Sequence, residues 1–411
     1  LKQLARFASL NPVVKGWGEM GNAVTLTNSI EKQQSETLFK QGAFNVYISN
    51  RISLNRSLPD PRPKECSHIQ YDLFKMGTAS VIIIFTDEIW SALLRTIVSV
   101  WNRTPSKILK EIILVDDWSS KRELKQDLVD YCSYYFGSKV KILRTKKREG
   151  LIRARIMGAK EATGDVLIFL DSHCEVTSDW ILPLMSAIYN DSRTVVCPVI
   201  DVIDDKSLEY SVGNPYYFQI GGFSWSGHFN WIDVPMKWMI RNPTSAIESP
   251  TMAGGLFAMD RNYFFSMGAY DENMEIWGGE NLEMSFRIWQ CGGRLVIHPC
   301  SHVGHIFRDF HPYSFLGKDT HAINTLRTFL VWMDKKHLKY FFMHRKDLRS
   351  NSAGDLSKRL QLKKKLNCKS FSWYLDKVYR NRKYMFDVNA TAYGYISNPK
   401  TNLCFDTLNE N

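Results

Sequence analysis

Two blocks of the chain are apolar almost without interruption: Ser-Val-Ile-Ile-Ile-Phe at 80–85 and Asp-Val-Leu-Ile-Phe-Leu-Asp-Ser-His at 165–173. Unalternating runs of this length predict strands covered on both faces. Between them, residues 90–102 place apolar side chains at helical spacing, and 110–117 reads as a strand ending in two carboxylates. A third strand follows at 140–144 and a helix at 150–163. Repeated strand–helix units predict an α/β fold, a mostly parallel sheet with helices on both faces. Such sheets bind ligands beyond the carboxyl ends of their strands, and Asp116, Asp117, Asp171 and His173 all fall at such ends. Residues 1–78 read as irregular, with the Pro-rich 55–63 as an extended segment lying on a domain. The second half is less periodic and rich in aromatics; 281–290 and 370–379 read as helices, and 386–411 as short strand pieces of a different character.

Composition adds limits. The chain has 411 residues, 44% hydrophobic and 23% charged, enough for one large or two ordinary soluble domains. No stretch approaches the ~20 apolar residues that span a bilayer. The net charge of +11 suits an anionic partner, yet the basic residues are scattered and form no aromatic–basic stripe, which argues against nucleic acid. The chain starts at Leu1 rather than Met, so we expect an N-terminal segment to precede it. Eight cysteines without a C-x-x-C pair, together with N-x-S/T sequons at Asn55, Asn102, Asn190 and Asn389, point to an oxidising lumen.

The chemistry centres on Asp171-Ser172-His173. In an extended segment, residues two apart share a side, so carboxylate and imidazole would grip one divalent ion together. Oxygen and nitrogen donors suit manganese and would also accept zinc. Taken alone, the tripeptide reads equally as a strand-end Asp with an incidental His. The chain has neither G-x-G-x-x-G nor G-x-x-x-x-G-K-S/T, so a nucleotide diphosphate held here lacks a glycine cradle and calls for a metal. Asp116 and Asp117 would offer carboxylates to a ribose or a base. In Trp277-Gly-Gly-Glu-Asn281 the glycines let backbone approach a ligand, and Glu280 projects from a helix start; a plain capped loop is the alternative. His305 offers a third metal ligand and Arg308 a phosphate contact.

In this order, these pieces resemble the polypeptide N-acetylgalactosaminyltransferases, which begin mucin-type O-glycosylation. The likeness runs from about Phe44 to Tyr379 and rests on Ile113-Leu-Val-Asp-Asp117, Arg148-Glu-Gly-Leu-Ile-Arg-Ala-Arg155, Phe169-Leu-Asp-Ser-His-Cys-Glu175, Val195-Val-Cys-Pro198 and Thr251-Met-Ala-Gly-Gly-Leu-Phe257. It continues through Ile276-Trp-Gly-Gly-Glu-Asn-Leu-Glu283, Arg287-Ile-Trp-Gln-Cys-Gly-Gly293, Val303-Gly-His-Ile-Phe-Arg308 and Phe371-Ser-Trp-Tyr374. The resemblance implies a GT-A fold, Rossmann-like, with catalysis in residues 72–385: a nucleotide-binding half (72–183) and a sugar and acceptor half (184–385). Residues 1–71 would be stem-proximal, and 386–411 would begin a ricin-type lectin domain.

It also implies a UDP-GalNAc donor, Mn²⁺, a Ser/Thr polypeptide acceptor and retention of configuration. Asp171, His173 and His305 match metal ligands; Asp117, Arg148 and Thr86 fall at nucleotide positions. Ala253, Gly254 and Gly255, with Glu280 and Asn281, match the sugar wall. Trp277 and Arg308, with His311 and Tyr313, match the loop that closes over UDP. Phe223 and Trp225 fall where the family grips the acceptor peptide; core packing is their other reading. Disulfides Cys66–Cys300 and Cys291–Cys368 follow by the same analogy, as does a type II protein of the Golgi lumen with its anchor outside this chain. The chain departs from the family's habits at Thr86, Glu248, Phe315-Leu-Gly-Lys318 and Leu330. These departures read as altered rate or preference; the changed 315–318 lid, with a lectin module that stops at Asn411, keeps open a catalytically silent homologue that binds UDP or peptide.

Overall fold

In a computed structural model of the chain, residues 2–310, 312, 319–380, 397–401 and 403–404 are described. The strands, in chain order, are β1 (Ala79–Phe85), β2 (Leu109–Asp116), β3 (Val140–Arg144), β4 (Val166–Asp171), β5 (Cys174–Val176), β6 (Thr194–Ile203), β7 (Gln219–Phe223), β8 (Phe229–Asp233), β9 (Ile247–Glu248), β10 (Phe257–Asp260) and β11 (Arg294–Ile306). The helices of the first half are α1 (Lys2–Leu10), α2 (Ser29–Gly42), α3 (Val46–Ser49), α4 (Trp90–Arg103), α5 (Gln126–Phe136), α6 (Leu151–Glu161) and α7 (Leu182–Asn190). Those of the second half are α8 (Met236–Arg241), α9 (Arg261–Ser266), α10 (Glu280–Gln290), α11 (Thr320–Trp332), α12 (Lys335–His344), α13 (Ser357–Lys365) and α14 (Phe371–Lys377).

All seven residues of β1 are buried. Its side chains alternate between two cores: Val81, Ile83 and Phe85 join one with α4 residues Leu93 and Ile97, while Ile82 and Ile84 join the other with Ile152, Phe169 and Phe257. Period-two alternation explains why the run is apolar throughout. The main sheet runs β3-β2-β1-β4-β10-β6-β11-β5, with β9 beside β11. It is parallel through β3, β2, β1 and β4, and β6 is parallel to β11. Beyond β4 it is mixed, because β10 runs antiparallel to both β4 and β6, and β5 antiparallel to β11. The weak periodicity of the second half concealed these short strands.

The topology places the site. Phe85 pairs with Asp116 and Ile84 with Asp171, so two carboxylates border the carboxyl end of β1. Since β10 is antiparallel to β4, the turn entering β10 lies beside the end of β4. Since β11 is antiparallel to β5, His305 pairs with Cys174, next to His173.

Residues 1–78, expected to be irregular, contain α1, α2 and α3. The α2 sequence is mostly Glu, Lys, Gln and Ser and buries only Ser35 and Gly42, so it leaves no apolar periodicity; the Asn28 side chain caps it through Ile30 N. The segment is anchored by Arg56, whose guanidinium meets both Glu175 oxygens at 2.9 Å, with Arg95 Nε 3.1 Å away. All three side chains are buried. The disulfides are Cys66–Cys300 and Cys291–Cys368, the pairs implied by the resemblance; the first ties the segment to β11 and the second ties the end of α10 to the start of α14. Sequon residues Asn55, Asn102 and Asn190 are exposed; Asn389 lies outside the described residues. So does most of 386–411, where Ser397–Asn398 pairs with Leu403–Cys404. No described helix is long and apolar enough to cross a membrane.

Glu175→Gln should destabilise the fold by about 3–5 kcal/mol, because Arg56 and Arg95 lose their buried counter-charge. Urea denaturation measures this, and a loss below about 1 kcal/mol would show that the anchor lies elsewhere.

Candidate active site

A cleft of about 510 Å³ opens beyond the ends of β1 and β4. Within it Asp171, His173 and His305 each place a ligand atom within 4.8 Å of the others. They arrive from the end of β4, the turn to β5 and the end of β11. The same-side argument for Asp171 and His173 is corrected here: β4 ends at Asp171, and Ser172 and His173 form a turn. What aims the imidazole is Glu88, just past β1. Its Oε2 lies 3.0 Å from His173 Nδ1 and accepts from Ser172 Oγ at 2.7 Å, while its Oε1 accepts from Arg308 Nη2 at 2.6 Å. With Nδ1–H given to a carboxylate, Nε2 is left as the lone-pair nitrogen.

Burial and the Arg308 charge push His173 down to about 4, so it is neutral and able to ligate at ordinary pH. Burial works against the Asp171 anion, but the hydrogen bond from His305 and the charge of Arg155 hold it well below the usual carboxylate range. The Glu88 anion is held the same way against burial, by Arg308 and then by His173. His305 Nε2 is 3.3 Å from Asp171 Oδ2, and its buried Nδ1 has no partner among the described residues. One oxygen and two nitrogen donors fit a divalent cation of the manganese or zinc kind.

The turn before β10 closes the opposite side. Arg155, fully buried on α6, donates to Gly254 O at 2.6 Å and Gly255 O at 3.0 Å, and reaches Asp171 Oδ1 at 3.4 Å. A Cβ at Gly255 would stand 2.4 Å from Asp171 Oδ2, so no other residue fits there without displacing the carboxylate. Asn281 Nδ2 donates to Met252 O at 3.1 Å and holds the same turn from α10. Glu280 opens α10 after Gly279, which has φ of 77°. It is buried, and its Oε2 has no partner among the described residues. Burial therefore raises its carboxyl above the usual range. A lone buried oxygen lining a polar cleft is a ready acceptor for a ligand hydroxyl.

Beside the end of β2, Arg148 and Thr86 line the cleft, and Arg148 Nη1 donates to Thr86 Oγ1 and to Asp117 Oδ2. Asp117 itself is fully buried and does not line the cleft; it also accepts from Glu149 N and Gly150 N at 2.8 Å, and so sets the position of Arg148. Asp116 is spent on Ser119 N, Lys125 and Arg144. Trp277, Ala253, Gly254, Gly255, Glu280, Asn281 and Arg308 all line the cleft. Phe223 and Trp225 do not. They are 0% and 1% exposed, packed against Phe286 and Tyr340 respectively, so here they stand in the core and present no surface to a peptide. His311 and Tyr313 lie outside the described residues, as does the 315–318 departure.

Sequence reasoning passed over Glu88, Arg155, His228 and His321. Glu88 had the strand-end signal used for Asp116. Arg155 falls with Ile152, Ile156 and Ala159 on the buried stripe of α6, and a charge on an apolar stripe was the available clue. The two histidines had no local signal. Glu88→Gln should weaken divalent-ion binding roughly 10–100-fold in calorimetry, since it loosens the grip on His173 Nδ1. An unchanged affinity would mean that His173 is oriented by something else.

Comparison with known proteins gives the family. The family described as "Glycosyl transferase family 2" matches residues 80–264, and "N-terminal domain of galactosyltransferase" matches 235–312. "Probable N-acetylgalactosaminyltransferase 9" of Caenorhabditis elegans is 46% identical over 96% of this chain and 68% of its own length. "Polypeptide N-acetylgalactosaminyltransferase 11" of Xenopus tropicalis is 51% identical over 86% of this chain, which spans 58% of that relative. The human "Polypeptide N-acetylgalactosaminyltransferase 13" is 46% identical over 96% of this chain and 70% of its own length. A solved structure described as "Crystal structure of GalNAc-T7 with UDP, GalNAc and Mn2+" superposes with a TM-score of 0.83 at 39% identity, covering 90% of this chain and 69% of that one. The cleft thus sits in a GT-A fold, and the chain belongs to the polypeptide N-acetylgalactosaminyltransferase family.

Proposed function

We propose that this chain carries a retaining, Mn²⁺-dependent transferase moving N-acetylgalactosamine from UDP-GalNAc to Ser or Thr hydroxyls of polypeptides. The observation that carries the reading is a metal-ligand triad and a buried, unpartnered Glu280 oxygen lining one cleft. The relatives' names and the UDP, GalNAc and Mn²⁺ of the GalNAc-T7 structure support it. In this reading residues 72–385 are catalytic, with 1–71 stem-proximal and 386–411 opening a lectin domain. The buried disulfide-bonded Cys66 and Cys300 and the exposed sequons suit a secretory compartment, and we assign the Golgi lumen.

Asp171, His173 and His305 would hold the ion. Bound there, Mn²⁺ supplies positive charge against the diphosphate of the donor and of departing UDP. Arg148 and Arg308 line the cleft as further cations for the phosphates, with Thr86 beside the nucleotide. Arg155 keeps the carbonyls of Gly254 and Gly255 fixed, so the Ala253–Gly255 wall offers the sugar a rigid face. Glu280 and Asn281 border that face. Glu280 accepts from the sugar's hydroxyls and holds the ring for attack on the side from which UDP leaves. Burial raises its carboxyl above the usual range, which suits hydrogen bonding to the sugar's hydroxyls. A phosphate oxygen of the leaving UDP takes the acceptor proton, which gives retention without a covalent intermediate. Trp277, partly exposed at the cleft mouth, would cover the sugar.

Two measurements test this. Transfer from UDP-GalNAc to a Thr/Pro-rich peptide should require Mn²⁺ and fall by more than about 100-fold in Asp171→Asn, since loss of a ligand exceeds loss of a supporting residue. Mn²⁺-dependent UDP binding without transfer would instead indicate a silent homologue. Mass spectrometry during turnover should find no sugar adduct on Glu280; an adduct that disappears in Glu280→Gln would make it the nucleophile.

A further inference from the structure

One wall of the cleft serves neither the ion nor the phosphates. The imidazoles of His228 and His321 stack there at 5.1 Å with planes 20° apart, and Trp277 lies 5.9 Å beyond His321. The stack joins three separate elements. His228 ends the β7–β8 loop, where Ser226 Oγ meets its Nδ1 at 2.9 Å and Ser224 Oγ meets Ser226 Oγ at 2.7 Å. His321 sits in the first turn of α11 and packs on Gly278, where a Cβ would stand 2.7 Å from its Cδ2. Both rings line the cleft that holds Glu280.

Some histidines of this protein are ion-paired with a carboxylate and others, this pair among them, are not. His173, His302, His305 and His337 each have a carboxylate within ion-pair distance: Glu88, Asp201, Asp171 and Asp334. Among the described residues, no such pair involves His228 or His321. His228 disfavours protonation of His321, and of the fixed charges that reach both rings Arg345 disfavours protonation and Asp319 favours it. Asp319 is engaged in capping α11 through Ala322 N at 3.0 Å, and Arg345 in an exposed pair with Asp347 at 2.8 Å. Burial, more than either charge, holds both rings below the ordinary imidazole range. The wall is therefore a stacked pair with its Ser226 support in place and, among the described residues, no carboxylate ion-paired to it.

We propose that His228 and His321 form a subsite for a carboxylate side chain flanking the acceptor Ser or Thr, which makes acidic peptides preferred acceptors. The proposal rests on the transferase reading above. An Asp or Glu brought in by the acceptor would supply the counter-charge that the wall lacks and accept a charge-assisted hydrogen bond from the ring that takes up a proton. Because the complex binds the protonated pair, its imidazole pKa lies above that of the free protein. The preference is then fully present at pH below the free-state value and is lost as pH rises through the value in the complex.

The experiment compares two Thr peptides that differ only by Glu or Gln next to the acceptor. The kcat/KM ratio, Glu over Gln, should rise about threefold to tenfold between about pH 7.5 and about pH 6.0, the range expected of one charge-assisted hydrogen bond. In the double variant His228→Gln, His321→Gln the ratio should be flat with pH. A flat ratio in the unmodified chain, or a rise that persists in the double variant, would overturn the subsite. A second readout does not depend on turnover: the imidazole NMR titrations of His228 and His321 should move to higher pH with the Glu peptide and stay put with the Gln peptide. Equal titrations with both peptides would overturn the proposal. If neither peptide is a substrate, the transferase reading fails, and the NMR titration still decides the subsite.

Discussion

Arg155 brings a full positive charge to a depth that water does not reach, and the catalytic side of the cleft is arranged around satisfying it. Its donors are divided among Gly254 O, Gly255 O, Tyr270 Oη and the Asp171 carboxylate. An isolated guanidinium at that depth would be prohibitively costly, so these acceptors cannot drift apart without exposing the charge to an apolar core. One side chain on α6 thereby couples the glycine turn before β10 to the end of β4. The candidate metal triad and the Gly254–Gly255 turn, which meet only in the folded chain, are held in mutual register by it.

The mixed sheet explains why a triad can be collected from residues so far apart in sequence. A purely parallel sheet would align strand ends and deliver loops only from one direction. Inserting β10 antiparallel beside β4 sends a second chain direction through the same edge of the cleft, and β11 running against β5 does so again. Strand register brings Asp171 and His305 to the turn that carries His173, and Glu88 needs only the short step from β1 to α4 to reach His173. Two strand residues, Asp171 and His305, and one residue of a two-residue turn, His173, make up the candidate triad, and no long loop contributes to it.

The legible part of this architecture is the part with strong local physics. The apolar runs of β1 and β4 announced themselves, since each must face two cores. Asp171 and His173 were found together, but through alternation along an extended strand, whereas a turn steered by Glu88 brings their ligand atoms together. Glu88 and Arg155 were passed over because a buried charge has no periodicity of its own; its meaning lies in partners that only folding supplies. The helix α2 escaped for the opposite reason, being polar nearly all round and held by its cap and its contacts. Phe223 and Trp225 read as acceptor contacts by analogy, yet aromatic residues in the hairpin β7–β8 serve the core as readily as a surface. His228 and His321 belong to separate elements, and nothing local joins them.

The Cys66–Cys300 bridge closes a loop with a sequence separation of 234. During synthesis at roughly 5–20 residues per second, Cys66 therefore waits on the order of tens of seconds before its partner exists. Cys132, Cys174, Cys197 and Cys291 all emerge first. In the finished fold Cys132, Cys174 and Cys197 are buried thiols, two of them pushed up to about 12, so they are poor nucleophiles once packed. Before packing they carry no such protection. The order in which α5, β5 and β6 bury their thiols thus acts as a kinetic filter on which sulfur Cys66 can reach. A slow-folding variant of the first sheet would fail first by crossed disulfides, long before its native state lost stability.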